Sequence, residues 1–576
     1  MPLERWITDN EPSPTYPIYT RANAGEVCPD PMSPLFGTFG MMKASELGWQ
    51  DAYVSGGTFD REEFDADQPN CVGSFGGYLY LNMSMTRIFG VRAPGMTPEM
   101  VDFQYFGEMP GIPPYQPRPT DESPRHTEAL SRLFGWFLTA EALPELVEDQ
   151  SRVEEVVGAR PDLAALSPAE LVARARAMIP HWRSLFERHI IVSSGSGVGL
   201  GTVAGVCAAI GRPELTMQLA AATGGVDSAA PSWEMWDLSR RVRSSKRLTS
   251  AFDGGVDGLE ARLRAADDAD CDAFLSSFAD FLRRYGSRGP NEWELRSDTW
   301  GTRPELALAA VDRMRLADDD ASPRLHTERL AAQQHAAAAE VEAALAGNDE
   351  ARAQFGAGLR CARVFLPGRE RTKTNNIRIV HEARLAFRQL GRRMAEAGHL
   401  AHLADVFMLT DEELDDFVAD PASFTSVVQT RAAAYEELFA LEPPFIVVGE
   451  VPPLSQWKRR DQHGAATVKP GTTLTGIPGC PGKATGRARV VLDPSHPQAL
   501  EPGDVLIAPI TDPSWTPLFV PAAAVVVNVG AQITHAVIVS RELGIPCVVS
   551  VTDATNKVPD GAMVTVDGTQ GTVTVH

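Results

Sequence analysis

Six short runs of β-branched residues crowd into positions 471–576 and bracket a single helical stretch. The runs are Arg487–Leu492, Asp504–Ala508, Ala524–Asn528, Cys547–Val551, Met563–Asp567 and Thr572–Val575, with glycine-bearing turns between them. Side chains branched at Cβ suit a pleated, packed surface, so such runs separated by turns specify a sheet. His535–Leu543 reads as the one helix, with Thr534 as its N-cap and Gly544 and Pro546 as its stop. The constraint is a compact β/α/β domain over 471–576.

Upstream the pattern changes. From Glu122 to Leu441 alanine, leucine, arginine and glutamate dominate, and apolar residues return every three or four positions. That period predicts a large, mainly α-helical domain over 121–442. Leu325–Leu345, Asn375–Ala397 and Pro168–Phe186 are its clearest helices, with turns at Asp318–Asp320 and Ala346–Asn348. Residues 1–120 carry too many prolines, glycines and aromatics for a free-standing helical unit. They are expected as an irregular segment packed on the helical domain, with short strands from Gly73–Met83. The segment 443–470 reads as a linker, in which FIVVG suits a strand. The fold class is therefore multidomain α+β.

Composition excludes several functions. Asp plus Glu number 75 against 53 Lys plus Arg, a net charge of −22, which argues against a uniformly basic nucleic-acid binder. No uninterrupted apolar run approaches the ~20 residues of a membrane span. The N-terminus lacks the basic start and apolar core of a signal peptide, so a cytoplasmic protein with no membrane or nucleic-acid partner is expected. The cysteines at 28, 71, 207, 271, 361, 480 and 547 are dispersed and never spaced as CxxC. They read as small reduced hydrophobes rather than disulfides or zinc ligands.

The chemistry concentrates at His535. On the first turn of its helix it stands beside free backbone N–H groups, at the positive end of the helix dipole. Imidazole is a competent nucleophile, and a phosphoryl group carried on it would meet those donors. From the residues alone, a capped helix with an incidental histidine stays open beside that reading. GAQITHAVIVSRELGIPCVV, however, resembles the phosphohistidine signature of the mobile, swivelling domain of phosphoenolpyruvate-utilising enzymes. That family includes pyruvate phosphate dikinase, phosphoenolpyruvate synthase and rifampicin phosphotransferase. Gly476–Gly486 resembles the opening of the domain, Asp512–Pro517 its middle loop, and Asp560–Gly568 with Gly571 its close. The resemblance implies that His535 accepts the phosphoryl group with Thr534 beside it, and that Gly530 and Arg541 cradle it. Ala531 stands where relatives have a second glycine.

Nearer the front, Thr20–Leu35 (TRANAGEVCPDPMSPL) is similar to the entry of the substrate-binding domain in rifampicin phosphotransferase-like proteins. So are Tyr285–Pro290, Arg369 and Glu370 with Lys373, and the stretch from Gly391 through Asp405–Thr410. The implied substrate-binding residues are Arg21, Asn23, Glu26, Arg288, Arg369, Glu370 and Lys373, with Ser287 where relatives often carry histidine. The structural alternatives are a hydrogen-bonded loop for the first three and an ion pair for Arg369 with Glu370. His126, His181, His189 and His335 have no motif around them, and His381, His399 and His402 read as surface or packing residues. No metal site is implied.

The chain shows no GxxxxGK[ST] phosphate loop, its substrate-domain motifs already begin at Thr20, and no barrel domain is expected after the swivelling one. That arrangement resembles the histidine-carrying subunit of phenylphosphate synthase-type aryl-phosphate synthases, or a rifampicin phosphotransferase without its ATP-grasp domain. By the resemblance, a separate ATP-grasp subunit would hold ATP with Mg²⁺ and charge His535, this chain alone binding neither. The phosphoryl group would then pass to a small hydroxylated, phenol-like acceptor. A non-enzymatic phosphocarrier or regulator, and a drug-phosphotransferase-like binding protein, remain as alternatives.

Overall fold

The helical periodicity upstream of Leu441 becomes a series of α-helices, and the β-branched runs at the end become a sheet. The computed structural model describes residues 4–106, 111–220, 230–460, 467–492, 500–511, 515–530 and 534–576. The architecture is multidomain α+β. Contacts divide the chain into two units that do not follow chain order. The first comprises Met1–Val198, Trp293–Arg296 and Gly368–His463; the second comprises Gly199–Glu292, Ser297–Pro367 and Gly464–His576. Helices of the stretch 121–442 are thus distributed over both.

In the first unit a four-stranded antiparallel sheet runs in the order Val72–Phe75, Tyr78–Asn82, Ile18–Thr20, Ile446–Val448. The hairpin turns on Gly76 and Gly77 at φ 58° and 76°. Positive φ is strained for other residues, and a Cβ on Gly76 would lie 2.4 Å from the Trp457 ring. FIVVG forms the outer strand. Residues 443–460, read from the sequence as a connector, are folded into this unit: Leu441–Glu442 pairs with Lys458–Arg459, and Leu454 and Trp457 are buried. Their prolines and glycines hid an apolar anchor, the Trp457 ring lying 6.1 Å from Tyr78. The N-terminal segment holds more helix than its turn residues suggest, with a π-helix at Phe36–Glu46 followed by Leu47–Ser55, and Met83–Arg92.

The helix expected at Leu325–Leu345 spans Pro323–Ala344. Pro168–Phe186 becomes two helices: Pro168–Arg176, started by a Ser167–Glu170 capping box, and Ile179–Ala209. Asn375–Ala397 is the end of a helix from Asp349 to Glu396 that continues through Pro367. Proline removes one backbone donor from the ladder. The adjacent Gly368 lets Leu143 and Val192 reach 2.8 and 3.2 Å from its missing Cβ, and this contact supports the helix at the break. The stretch Pro168–Ala209 is also long and apolar enough, by length and composition, to cross a membrane. Serines and glycines interrupt it in sequence, which is why it does not read as a continuous apolar run. Its Val203, Val206 and Cys207 pack in the second unit against Ala337, Val341 and Phe355.

The second unit contains an eight-stranded sheet. Its order is Thr473–Thr475, Thr572–Val575, Met563–Asp567, Lys483–Val490, Val505–Ala508, Ala524–Val527, Cys547–Val549, Ile477–Cys480. The four strands from Lys483–Val490 to Cys547–Val549 are parallel, and antiparallel pairs flank them on both sides. Both middle strands are buried throughout, as parallel strands covered on two faces must be. Alternate residues serve different cores. Leu506, Ala508, Val525 and Val527 join Trp236, Phe281 and Trp300 from the helices Ala230–Ser244 and Ala269–Tyr285 and the loop after them. Val505, Ile507, Ala524 and Val526 face the opposite core with Val564 and Val573. This shared core is why 199–292 and 297–367 group with the C-terminal sheet. All seven cysteines are buried and free.

Candidate functional site

The chain leaves the buried strand Ala524–Val527, and the helix His535–Leu543 then returns it to the parallel strand Cys547–Val549. Thr534 is extended (φ −83°, ψ 162°), and its carbonyl accepts the first helical bond, from Ile538 N–H at 2.9 Å. Gly544 ends the helix in the left-handed region at φ 66°. His535 therefore occupies the first helical position, as its sequence context predicts.

Two buried threonines bracket its half-buried ring. Thr511 Oγ1 lies 3.1 Å from Nδ1 and Thr516 Oγ1 3.2 Å from Nε2. The Phe519 ring stands edge-on at 5.9 Å. A neutral imidazole offers one N–H and one lone pair, and a hydroxyl can meet either. The ring plane is thus held in either tautomer, and one nitrogen keeps a nucleophilic lone pair. A phosphoryl group on that nitrogen would sit beside a hydroxyl donor and close to the amide groups of the helix start.

Of the residues expected around it, Gly530 and Thr534 are brought together: a Cβ on Gly530 would lie 3.3 Å from Thr534 Oγ1 and 2.9 Å from Val549 Cβ. Arg541 is six positions along the helix, about 9 Å further along its axis. There its Nε donates to Gly479 O at 3.4 Å and its Nη2 lies 3.3 Å from Met217 Sδ. Asp512–Ser514 of the middle-loop motif and Ala531 lie outside the described residues. Neither Thr511 nor Thr516 was singled out from the sequence as a partner of His535.

The expected substrate-binding residues fall into three groups. Arg21 is buried in the first unit, donates to the carbonyls of Leu79 (2.6 Å), Cys28 (2.9 Å) and Pro29 (3.2 Å), and lies over the rings of Tyr78 and Tyr80. Burial lowers its pKa. Asn23, at φ 61°, caps the short helix Ala24–Val27, and Glu26 N–H donates to Asn23 O at 3.0 Å. Arg288 belongs to the second unit and pairs with Glu292 at 2.8 Å, both side chains buried, with Ser287 buried beside it. Arg369 pairs with Glu370 at 3.8 Å on the helix Asp349–Glu396, with Lys373 one turn further along.

That third group converges on His189, to which the sequence gives no motif. His189 Nδ1 lies 2.9 Å from Thr372 Oγ1, and its ring contacts those of Phe186 and Trp293 at 6.0 and 6.4 Å. Burial first, then the charges of Arg369 and Lys373, push the imidazole down to about 3. Burial with Arg384, Arg160 and Arg388 drives His381 well below its ordinary value. Both histidines bind protons more readily unfolded than folded, so their contribution is complete above about pH 6.5 and is lost as pH falls toward the depressed folded values. Urea midpoints are expected to drop between pH 7 and pH 5, and the drop to be shallower in His189→Gln.

Among the described residues, Asp60, Glu63 and His126 converge as a metal-type cluster. Arg92 already pairs with Glu63 at 2.6 Å and Arg125 with Asp60, so both carboxylates are neutralised by guanidinium groups.

Two family models match parts of the chain. Residues 189–370 match the family described as the rifampicin phosphotransferase fourth domain, and residues 500–571 the mobile domain of PEP-utilising enzymes. The second unit thus combines most of the one with the other. Rifampicin phosphotransferase of Streptomyces sviceus is 34% identical over 301 residues, covering 51% of this chain and 34% of that protein. The Bacillus subtilis rifampicin phosphotransferase is 28% identical over 359 residues, covering 61% and 38%. An uncharacterized protein of Mycobacterium tuberculosis is 28% identical over 596 residues, covering 98% of this chain and 62% of its own length. The chain spans from about a third to less than two thirds of these relatives.

Proposed function

We propose that the chain is the phosphohistidine-relay component of a phosphotransferase, with His535 as the residue that carries the phosphoryl group. The observation that carries this reading is the imidazole at a helix N-terminus with a threonine hydroxyl at each ring nitrogen. The match to the mobile domain of PEP-utilising enzymes supports it. In the proposed cycle an ATP-grasp subunit in trans, holding ATP and Mg²⁺, charges His535 in a cytoplasmic setting. An acceptor hydroxyl then attacks phosphorus in line; the new P–O bond forms as the P–N bond to His535 breaks, and the hydroxyl proton is released. Such transfers rest on positioning and charge stabilisation rather than on covalent help from the protein. Arg369 and Lys373 are the cations proposed to hold the acceptor end, and the acceptor is proposed to be a phenol-like aromatic hydroxyl. Arg21 and Arg288 are buried in their own units, Arg21 donating to backbone carbonyls and Arg288 pairing with Glu292.

The test begins with the full chain and phosphoramidate, a donor that phosphorylates accessible imidazoles without a partner. Acid-labile phosphate at His535 that is discharged on adding phenol supports the relay. Label that stays until hydrolysis supports a carrier or regulator instead. Failure of phosphoramidate, and of ATP with an ATP-grasp subunit, to label His535 overturns the proposal.

A further inference from the structure

The Arg369–Lys373 cluster contains one group that the relay reading leaves unused, and its hydrogen bonds define its chemistry. Thr372 Oγ1 donates its only hydrogen to Arg369 O at 2.8 Å. With that hydrogen on the carbonyl, the oxygen presents a lone pair to His189 Nδ1, 2.9 Å away, an arrangement that assigns the ring hydrogen to Nδ1. The other nitrogen, Nε2, then holds a lone pair on the far side of the ring from Thr372. Phe186 and Trp293 flank the imidazole, and their own rings meet edge-on at 5.8 Å. The helix bearing His189 is apolar at Ile190, Ile191 and Val192, with Ile190 and Ile191 only half-buried.

We infer that His189 is a specificity-determining residue that reads the acceptor: Nε2 accepts a hydrogen bond from an aromatic hydroxyl whose ring lies against Trp293 and Phe186 and whose oxygen faces Arg369 and Lys373. This deepens the proposed function, since it rests on the acceptor being bound at that cluster, and it names the residue that selects the acceptor's class. The site asks for three features together. A ring fills the aromatic wall. An O–H satisfies a lone pair that is otherwise half-buried. Electron density on that oxygen meets two cations. An ether offers no hydrogen, an aliphatic alcohol no ring, and a carboxylate no donor. The depressed basicity of His189 fits the same role, because an imidazole that stays neutral keeps its acceptor lone pair across the working pH range.

Calorimetry on the full chain with phenol, anisole and cyclohexanol tests this without depending on phosphorylation. Phenol is expected to bind at least tenfold more tightly than either. His189→Phe is expected to remove the advantage over anisole, and His189→Gln to restore part of it by placing an amide oxygen near Nε2. Thr372→Val, which frees the tautomer, should reduce the advantage in the same direction and serves if His189→Phe does not fold. Equal binding of phenol and anisole, no binding of any of the three, or an undiminished preference in both His189→Phe and Thr372→Val would overturn the inference. Its failure is distinct from failure of the relay. A chain labelled at His535 that discharges to a non-aromatic acceptor sinks the inference alone, and a phenol-selective site in a chain that never labels sinks the relay alone.

Discussion

Replacing His535 with alanine is expected to abolish acid-labile phosphate on the chain and every product derived from it, while the protein melts close to the wild-type temperature. Nothing else in the described structure combines a half-exposed nucleophilic side chain with a helix N-terminus and two hydroxyl partners. The structural cost is small. Alanine has the highest helix propensity, and the hydrogen bonds lost to Thr511 and Thr516 are each worth about 0.5–1.5 kcal/mol, with water able to enter beside the half-exposed site. Phosphate analysis under alkaline conditions, paired with thermal melting, makes the comparison. Label retained in His535→Ala at the wild-type level would move the phosphoryl site elsewhere. Unfolding of the variant would instead make His535 a structural residue.

The second large effect concerns the sheet behind that helix. A Cβ on Gly568 would lie 1.9 Å from Cys480 O and 2.9 Å from Cys547 N. These atoms belong to the paired strands Ile477–Cys480 and Cys547–Val549, the second of which receives the chain from the histidine helix. Backbone cannot rotate aside as a side chain can, so Gly568→Ala must spread the two strands. Overpacking of this kind costs about 1–3 kcal/mol and sometimes more. Loss of amide-exchange protection in Cys547–Val549, with a lowered melting temperature, is the expected result. An unchanged melting curve would show that the pair tolerates the displacement.

Local chemistry made some of this legible in advance. The helix His535–Leu543 has the bounds its sequence announces, because an N-cap threonine and a glycine stop are both written into adjacent residues. The strands after 471 were readable for the same reason. The partners of His535 were not. Thr511 and Thr516 are separated from it by a whole strand, and only the parallel register of Val505–Ala508 against Ala524–Val527 brings the two chain ends to one edge. Arg541, six residues along the helix, has contacts with Gly479 O and Met217 Sδ that its place in the motif does not announce. His189 escaped because a lone histidine in an apolar helix carries no signal, and the residues that give it meaning lie on another helix. The helix expected from Asn375 starts at Asp349 instead and runs through Pro367, with Leu143 and Val192 packed at Gly368.

Thr516 begins the short helix Thr516–Phe519, and Trp515, Leu518 and Phe519 sit in the core shared by the sheet and the helices Ala230–Ser244 and Glu305–Met314. Any excursion that carries the histidine away from those helices must wet these rings and aliphatic chains. Hydration of apolar surface raises heat capacity, so departure and return would follow a curved rather than a straight van't Hoff plot. If His535 carries phosphorus as proposed, that traffic would respond to temperature as the melting of a small greasy seam does, not as the turning of a free joint.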